Sequence, residues 1–247
     1  MEYKGYKKKH ESGNITLYQA DCMEMLPQIP DNYYSLCICD PPYGIGWDGE
    51  NTTMSAGMRK NGTQRKMKSW NNPVPKEYVK KEWDNNTPNK IYFDELRRVS
   101  RKQIIWGGNY FTEYLVPSGG WVTWEKGVPD GMSLSQCELA WTNCLNSVRH
   151  IRLLWAGYKK CEEIDRFHPT QKPVKLYEWL LKNYAKPGDR ILDTHLGSGS
   201  IAIACHNMGF ALDGYELDKD YYEAAVKRLE DHKRQGTLFT PEEIHAK

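Results

Sequence analysis

The last third of the chain carries the clearest alternation of apolar and polar positions. A short apolar run from Arg190 to Asp193 leads into a glycine turn and an amphipathic stretch, and a second apolar run from Ala211 to Glu216 leads into another amphipathic stretch. Short apolar runs bounded by turn residues predict strands, whereas apolar residues spaced by three or four positions predict helices. The pattern therefore predicts a strand–helix–strand–helix unit.

Apolar runs earlier in the chain predict the other strands, which are needed because two strands cannot form a doubly wound sheet. Strands are predicted for Ile15–Asp21, Tyr33–Asp40, QIIWGG and WVTWEK, and an antiparallel hairpin for CELAWTN with VRHIRLLW. Helices are predicted for MEMLPQI, IYFDELRRVSR and PVKLYEWLLKNYAK. The chain can be read as a circle in which the N-terminal strands follow the C-terminal strand–helix–strand–helix unit. We then expect one mostly parallel, doubly wound α/β sheet with its binding turns at one edge.

The predicted elements form one domain with short flanking segments. We expect a basic tail over residues 1–14, the α/β domain over 15–235 and a second tail over 236–247. Residues 47–88 have no predicted helix or strand, and loops of that length are usually functional or disordered.

Composition favours a cytoplasmic protein. No apolar run reaches the length of a membrane span, and the N-terminus lacks the apolar segment of a secretory signal. The seven cysteines form no C-x-x-C pair, so neither a zinc site nor a disulfide framework is predicted.

The charge distribution indicates more than the formal net charge of +2. One short segment holds five basic residues and no acidic one. It is either a solvated loop or a basic arm that meets DNA phosphates. The five residues are Arg59, Lys60, Arg65, Lys66 and Lys68.

The strand predicted over Tyr33–Asp40 ends in the sequence Asp40-Pro41-Pro42-Tyr43. Each proline fixes φ and lacks a backbone donor, so the pair ends the strand and leaves the carboxylate on a rigid turn. Such a turn can be ordinary punctuation between a strand and a loop. It can also be a rigid chemical site.

The glycine turn after Asp193 has nucleotide-type spacing. Gly197, Gly199 and Ala202 form a G-x-G-x-x-A pattern, and Glu216 ends the next predicted strand. Glycines allow a ligand to approach the backbone, and an acidic residue at that position can hold ribose hydroxyls. The pattern alone also fits a nicotinamide-dependent oxidoreductase.

Three motifs in this order resemble the DNA methyltransferases that methylate exocyclic amines with S-adenosylmethionine. They are DPPY at Asp40, HPTQKP at His168 and DTHLGSGS at Asp193. The order resembles the circularly permuted β class, and QIIWGGNYF resembles small phage and prophage adenine methyltransferases. The resemblance implies a single, circularly permuted Rossmann-like methyltransferase domain. It also implies double-stranded DNA as substrate and is compatible with a homodimer.

The resemblance implies roles for particular residues. Asp40, Pro41, Pro42 and Tyr43 would be catalytic, Asp40 also lying near the cofactor, and Trp141 would lie near a flipped base. Residues 145–167 would form a short target-recognition segment. Cofactor contacts would come from Asp21, Cys22, His168, Thr170, Gln171, Lys172, Asp193, His195, Gly197, Gly199, Ser200, Glu216 and Leu217.

The chemistry of an exocyclic amine agrees with this resemblance. Its lone pair is delocalised into the ring, so it attacks a methyl donor only when acceptors hold its hydrogens. The carboxylate of Asp40 and the carbonyl of Pro41 could supply those acceptors. Tyr43 could stack on a base taken out of the duplex.

Several alternatives remain open at the level of sequence. The Asp40 carboxylate and the Pro41 carbonyl, which we call the amine clamp, would serve cytosine N4 as well as adenine N6. By resemblance, an aspartate at position 40 favours adenine. Thr194 and His195 replace the Pro and Phe usual in the family, so a DNA-binding protein that has lost catalysis is a further alternative. His168 beside a proline is also typical of a structural turn.

Overall fold

The computed structural model describes residues 3–46, 82–130, 135–156, 159–161, 168 and 170–235. The strands are β1 (Lys8–Ser12), β2 (Ile15–Gln19), β3 (Tyr34–Cys39), β4 (Ser100–Trp106), β5 (Trp121–Glu125), β6 (Cys137–Thr142), β7 (Val148–Arg152), β8 (Trp155–Ala156), β9 (Lys159–Lys160), β10 (Arg190–Asp193) and β11 (Ala211–Glu216). The α-helices are α1 (Cys22–Met25), α2 (Lys90–Val99), α3 (Val174–Tyr184), α4 (Ser200–Met208) and α5 (Lys219–Arg234). Short 3-10 turns cover Leu26–Gln28, Glu82–Asp84 and Gly108–Tyr110.

Nine of these strands form one sheet in the order β1-β2-β11-β10-β3-β4-β6-β5-β7. The five strands from β2 to β4 are mutually parallel, and β6 and β5 continue the sheet in antiparallel fashion. Strand β10, from the end of the chain, therefore lies between β11 and β3. This arrangement confirms the predicted doubly wound α/β fold.

Alternating side chains of the parallel strands build a core on each face of the sheet. Leu36 and Ile38 of β3 join the core that contains α3, α4 and α5, whereas Cys37 and Cys39 join the core that contains α1 and α2. A strand buried on both faces reads as a continuous apolar run. That is why the sequence of β3 shows no alternation of polar and apolar residues.

The predicted hairpin of CELAWTN with VRHIRLLW is wrong. Strand β6 pairs with β5 on one side and with β4 on the other, where Trp141 lies opposite Ile105. Both edges of β6 are therefore occupied, and β7 pairs in parallel with the free edge of β5.

The prediction of a basic tail over residues 1–14 is wrong for Lys8–Ser12. These residues form β1, which adds an antiparallel edge strand to β2. Side chains fasten it to α5, where Lys8 Nζ lies 2.5 Å from Glu223 Oε1 and His10 Nε2 lies 3.0 Å from Glu230 Oε1. Edge strands often carry lysines, which discourage pairing with other chains.

Within the described residues, no helix is long and apolar enough to cross a membrane. All seven cysteines are thiols rather than members of disulfides, and Cys22, Cys37, Cys39 and Cys205 are buried.

Candidate active site

Four adjacent parallel strands lead into acidic residues at their carboxyl ends. Asp21 follows β2, Glu216 ends β11, Asp193 ends β10 and Asp40 follows β3. In open α/β sheets, ligands bind outside the carboxyl ends of the strands. The fold thus brings carboxylates from both ends of the chain to one edge, as the sequence predicts.

Asp40 is held from two sides. The Tyr43 hydroxyl donates a 2.5 Å hydrogen bond to Asp40 Oδ1, and Lys172 Nζ donates to Asp40 Oδ2. The Asp40 side chain is 16% exposed and that of Lys172 is only 4% exposed. The carboxylate therefore keeps access to the surface while its cation is buried.

Lys172 belongs to a larger, partly buried group of charges. Its Nζ lies 3.1 Å from Glu138 Oε2, and Lys126 Nζ lies 3.1 Å from Glu138 Oε1. The Lys172 ammonium also lies 5.3 Å from the ring centroid of Trp106. Two carboxylates and two ammonium groups thus balance one another beneath the strand ends.

Burial and charge act in opposite directions on these groups. Burial raises the pKa of Asp40, and the Lys172 ammonium offsets only part of that increase. Burial would lower the pKa of Lys172, but the carboxylates of Asp40 and Glu138 raise it above its usual value. For Glu138, burial raises the pKa, yet Lys172 and Lys126 outweigh burial and hold it below its usual value. Lys172 therefore stays protonated at neutral pH.

The turn that carries Asp40 is fixed by its neighbours. Asp84 Oδ1 accepts hydrogen bonds from the backbone N–H groups of Tyr43 and Gly44, at 2.7 and 2.9 Å. The Tyr43 ring packs so closely on Gly107 that a Cβ added there would lie 2.2 Å from Tyr43 Cε1. Gly107 also has φ +68°, a value that disfavours other residues. Tyr110 stacks on Tyr43 at 4.9 Å between centroids.

The predicted glycine turn lies directly before α4. Gly197 has φ +50° and Gly199 has φ +69°, and a Cβ on Gly199 would lie 2.9 Å from Ala225 Cβ of α5. Glu216 Oε2 accepts a 2.8 Å hydrogen bond from the N–H of Gly197, and its Oε1 accepts one from the N–H of Asp218. Glu216 therefore braces the turn that the sequence assigns to the cofactor.

Asp193 and the residues after it lie beneath that turn. Burial raises the pKa of Asp193 to about 8, against the lowering effect of the hydrogen bond from the His195 N–H, which is 3.0 Å long. Burial lowers the pKa of His195 to about 4, so its imidazole is neutral at pH 7. The Thr194 hydroxyl lies 2.7 Å from the Tyr92 hydroxyl and 3.0 Å from His195 Nδ1. Thr194 and His195 thus join a polar contact that a Pro-Phe pair could not make.

Two cavities adjoin these residues and share Pro42. The larger, of about 320 Å³, is lined by residues that include Asp21, Cys22, Tyr92 and His195. The smaller, of about 70 Å³, is lined by Asp40, Pro41, Pro42, Tyr43, Ile45, Trp83, Asp84 and Thr170. The two cavities are therefore neighbours at Pro42.

Two residues predicted to contact the cofactor, Ser200 and Gln171, make hydrogen bonds within the protein. The Ser200 hydroxyl is buried and donates to the carbonyl of Lys172 at 2.7 Å. The Gln171 carbonyl accepts from Trp155 Nε1 at 2.8 Å, and the Gln171 side chain is buried. These contacts tie the HPTQKP segment to α4 and to the sheet. The assignment of Ser200 and Gln171 to the cofactor stays a prediction.

The other residues of HPTQKP contact different partners. His168 is buried, its ring lies 4.3 Å from that of Tyr221, and its Nδ1 accepts from the N–H of Thr170. A Cβ on Gly197 would meet His168 Nε2 at 3.4 Å. Lys172 lines neither cavity but contacts Asp40, which lines the smaller one, and its assignment as a cofactor residue stays a prediction.

The predicted DNA contacts divide into two groups. Trp141 is only 2% exposed, and its Nε1 donates to the carbonyl of Val116 at 3.0 Å, so the predicted contact with a base is wrong. Strand β6 lies inside the sheet, and this position buries the ring. Arg59, Lys60, Arg65, Lys66 and Lys68 lie outside the described residues. Leu217 is 61% exposed after β11, outside the lining of the larger cavity.

Sequence reasoning missed Glu138, Lys126, Asp84, Gly107 and Tyr110. Glu138 gives one signal, because it is a carboxylate within an otherwise apolar strand. Gly107 gives another, since it follows β4, the parallel neighbour of β3. Asp84 lies in the long segment without predicted structure, and nothing in its surroundings in the sequence indicates a role.

Comparison with known proteins agrees with this fold. A model of the N6/N4 family, described as DNA methylase, matches residues 136–227, from β6 to α5. That match contains the glycine turn but not Asp40. Among solved structures, the M1.HpyAVI–SAM complex superimposes with a TM-score of 0.55 at 20% identity, covering 87% of this chain and all of the other.

Two curated relatives extend the comparison. The type II methyltransferase M2.DpnII of Streptococcus pneumoniae is 38% identical over 88 residues, which span 35% of this chain and only 33% of the relative. M2.LlaDCHI of Lactococcus lactis subsp. cremoris is 23% identical over 90% of this chain and 92% of its own length. These findings support a DNA methyltransferase of the N6/N4 class without separating adenine N6 from cytosine N4.

Proposed function

We propose that this protein transfers a methyl group from S-adenosylmethionine to adenine N6 of a base flipped out of DNA. The observation that carries the proposal is that Pro42 lines both cavities, with Asp40 in the smaller one. A methyl donor in the larger cavity and an amine at Asp40 would lie close together beside the rigid DPPY turn. Proximity of that kind accounts for a large part of enzymatic rate enhancement.

The larger cavity suits S-adenosylmethionine, which carries a cationic sulfonium and a cationic amine. Asp21 lines this cavity, and Asp193 and Glu216 lie at neighbouring strand ends. We assign Asp21, Cys22, His195 and the turn of Gly197 and Gly199 to the cofactor. When bound, S-adenosylmethionine supplies an electrophilic methyl group.

Asp40 acts on the amine as an acceptor. Its carboxylate, together with the Pro41 carbonyl, would hold the two amine hydrogens and direct the nitrogen lone pair out of the ring plane. Asp40 need not remove a proton beforehand, because the product ammonium is acidic and loses its proton after transfer. The raised pKa of Asp40 makes it a better acceptor for that proton than an exposed aspartate.

The test is transfer of labelled methyl from S-adenosylmethionine to unmethylated DNA, followed by nucleoside analysis, with Asp40→Ala as the matched variant. Labelled N6-methyladenine from the wild-type protein and none from the variant is the expected result. Labelled N4-methylcytosine would show that the substrate base is cytosine rather than adenine, with the same roles for Asp40 and Pro41. Absence of transfer would overturn the proposed activity.

A further inference from the structure

We propose that Glu138 is a positioning residue of the amine clamp, which acts by holding Lys172 against Asp40. This inference rests on the proposed methyl transfer. It adds to that proposal a relay of three side chains, Glu138 of β6, Lys172 of HPTQKP and Asp40 after β3. No motif in the sequence contains Glu138.

The first step is the position of the Lys172 ammonium. It contacts Asp40 Oδ2 and lies 3.1 Å from Glu138 Oε2 and 3.4 Å from the Tyr43 hydroxyl. The ammonium donates hydrogen bonds to Asp40 and Tyr43, whereas its contact with Glu138 Oε2 is an ion pair. Trp106 approaches the same group, so Nζ has a defined place rather than a range of rotamers.

The second step is which side of Asp40 the relay occupies. Asp40 lines the smaller cavity, whereas neither Lys172 nor Glu138 does. The ammonium therefore supports the carboxylate from the buried side and leaves the cavity side for an amine. A carboxylate offers about four acceptor sites, so contacts with Tyr43 and Lys172 do not exhaust it.

The third step is charge balance. A buried ammonium beside a single carboxylate would bind tightly but with less constraint on direction, whereas Glu138 fixes it from a second side. Lys126 neutralises the remaining oxygen of Glu138 at 3.1 Å, so the group of four carries no net charge. Removal of one member of such a buried group leaves an uncompensated charge. Glu138 therefore affects Asp40 without touching the substrate.

The experiment compares Glu138→Gln, Lys172→Met and the double variant by kcat, KM for unmethylated DNA and affinity for S-adenosylmethionine. Displacement of a reacting group can cost about 10- to 100-fold, and we expect Glu138→Gln to lower kcat by about that factor. Affinity for S-adenosylmethionine should stay within about twofold, since neither Glu138 nor Lys172 lines the larger cavity. In the Lys172→Met background, Glu138→Gln should cost nothing further, because its effect passes through the ammonium.

A pH profile separates positioning from a merely structural role. Asp40 is faced by Lys172, Glu138, Tyr43, Tyr177 and Asp193. Loss of the Lys172 cation removes the one group that lowers the Asp40 pKa by charge, so the acidic limb of kcat/KM should move to higher pH. Lys172→Arg keeps the cation and should keep the limb in place.

The matched control is Glu125→Gln. Glu125 lies on the neighbouring strand and pairs with Arg152 and His150 at the surface, so its substitution should leave all parameters unchanged. Thermal unfolding of each variant reports folding, and Lys172→Gln, which also removes the cation, replaces Lys172→Met in the cycle if the latter does not fold. Equal costs of Glu138→Gln in both backgrounds would overturn this inference alone. A wild-type protein that transfers no methyl to DNA would overturn the proposed function, and the inference with it.

Discussion

The Asp40 carboxylate and the Lys172 ammonium form a buried ion pair although the two residues lie 132 positions apart. Asp40 belongs to DPPY and Lys172 to HPTQKP, two motifs that the sequence assigns to different tasks. Their contact gives the lysine a role in fixing the clamp. It also explains why HPTQKP is tied so firmly to α4 through Ser200.

Replacement of Asp40 by asparagine should abolish most methyl transfer while affinity for S-adenosylmethionine is kept. Asparagine keeps one acceptor oxygen but loses the negative charge and the ion pair with Lys172. Loss of a preorganised electrostatic contact costs about 100- to 1,000-fold in kcat. Single-turnover methylation with saturating DNA measures the effect. Asp231→Asn, which alters an ion pair with Arg234 on α5, is the control and should behave as wild type.

Gly107→Ala should lower both stability and activity, because its Cβ would overlap the Tyr43 ring and its φ is positive. Gly13→Ala is a matched control, since Gly13 has φ +62° but nothing within 4 Å of the added Cβ. Backbone strain of about 1 kcal/mol should appear in both variants. Thermal unfolding should show a larger loss for Gly107→Ala, and only that variant should lose kcat. Equal losses of stability and kcat in the two variants would show that the position of Tyr43 does not require a glycine at position 107.

Asp193 should make the free energy of unfolding depend on pH. Burial raises its pKa to about 8, whereas the pKa of an unfolded aspartate is near its ordinary value of 3.8. Between these values the folded state binds one more proton than the unfolded state, so this contribution to stability falls as the pH rises from about 4 to about 8. The slope is on the order of 1 kcal/mol per pH unit.

Asp193→Asn should remove that slope. Urea unfolding of both proteins at several pH values, with the difference taken at each pH, isolates the contribution from those of other groups. The free energy of unfolding of the variant should increase relative to that of the wild type as the pH rises. A constant difference across this range would mean that Asp193 is ionised in the folded protein.

The basic segment from Arg59 to Lys68 should supply phosphate contacts to DNA. Neutralising its five basic residues should weaken binding and flatten the dependence of log K on log salt, because fewer counterions are released. Fluorescence anisotropy at several salt concentrations measures the slope. An equal number of exposed basic residues elsewhere serves as the control: Lys7, Lys182, Lys186, Lys227 and Arg234. The same loss in both variants would indicate a general charge effect and contradict a dedicated arm.

The sequence by itself determined the parallel core of the sheet and the edge at which the site lies. Strands β10 and β11 have the bounds that their apolar runs predict, because short buried strands between glycine turns leave little freedom. Asp40, Asp193 and Glu216 follow from the same reasoning, since residues at the carboxyl ends of parallel strands converge. Local pattern and parallel topology suffice for these features.

Only the tertiary structure decided which side chains complete the site. The pairing of β7 with β5 depends on both edges of β6 being occupied, a condition that neither strand encodes locally. The burial of Trp141 follows from that central position, and so does the access of Glu138 to Lys172. Contacts between distant segments depend on the packing of the whole sheet, so a motif identifies Asp40 but not the partners that hold it.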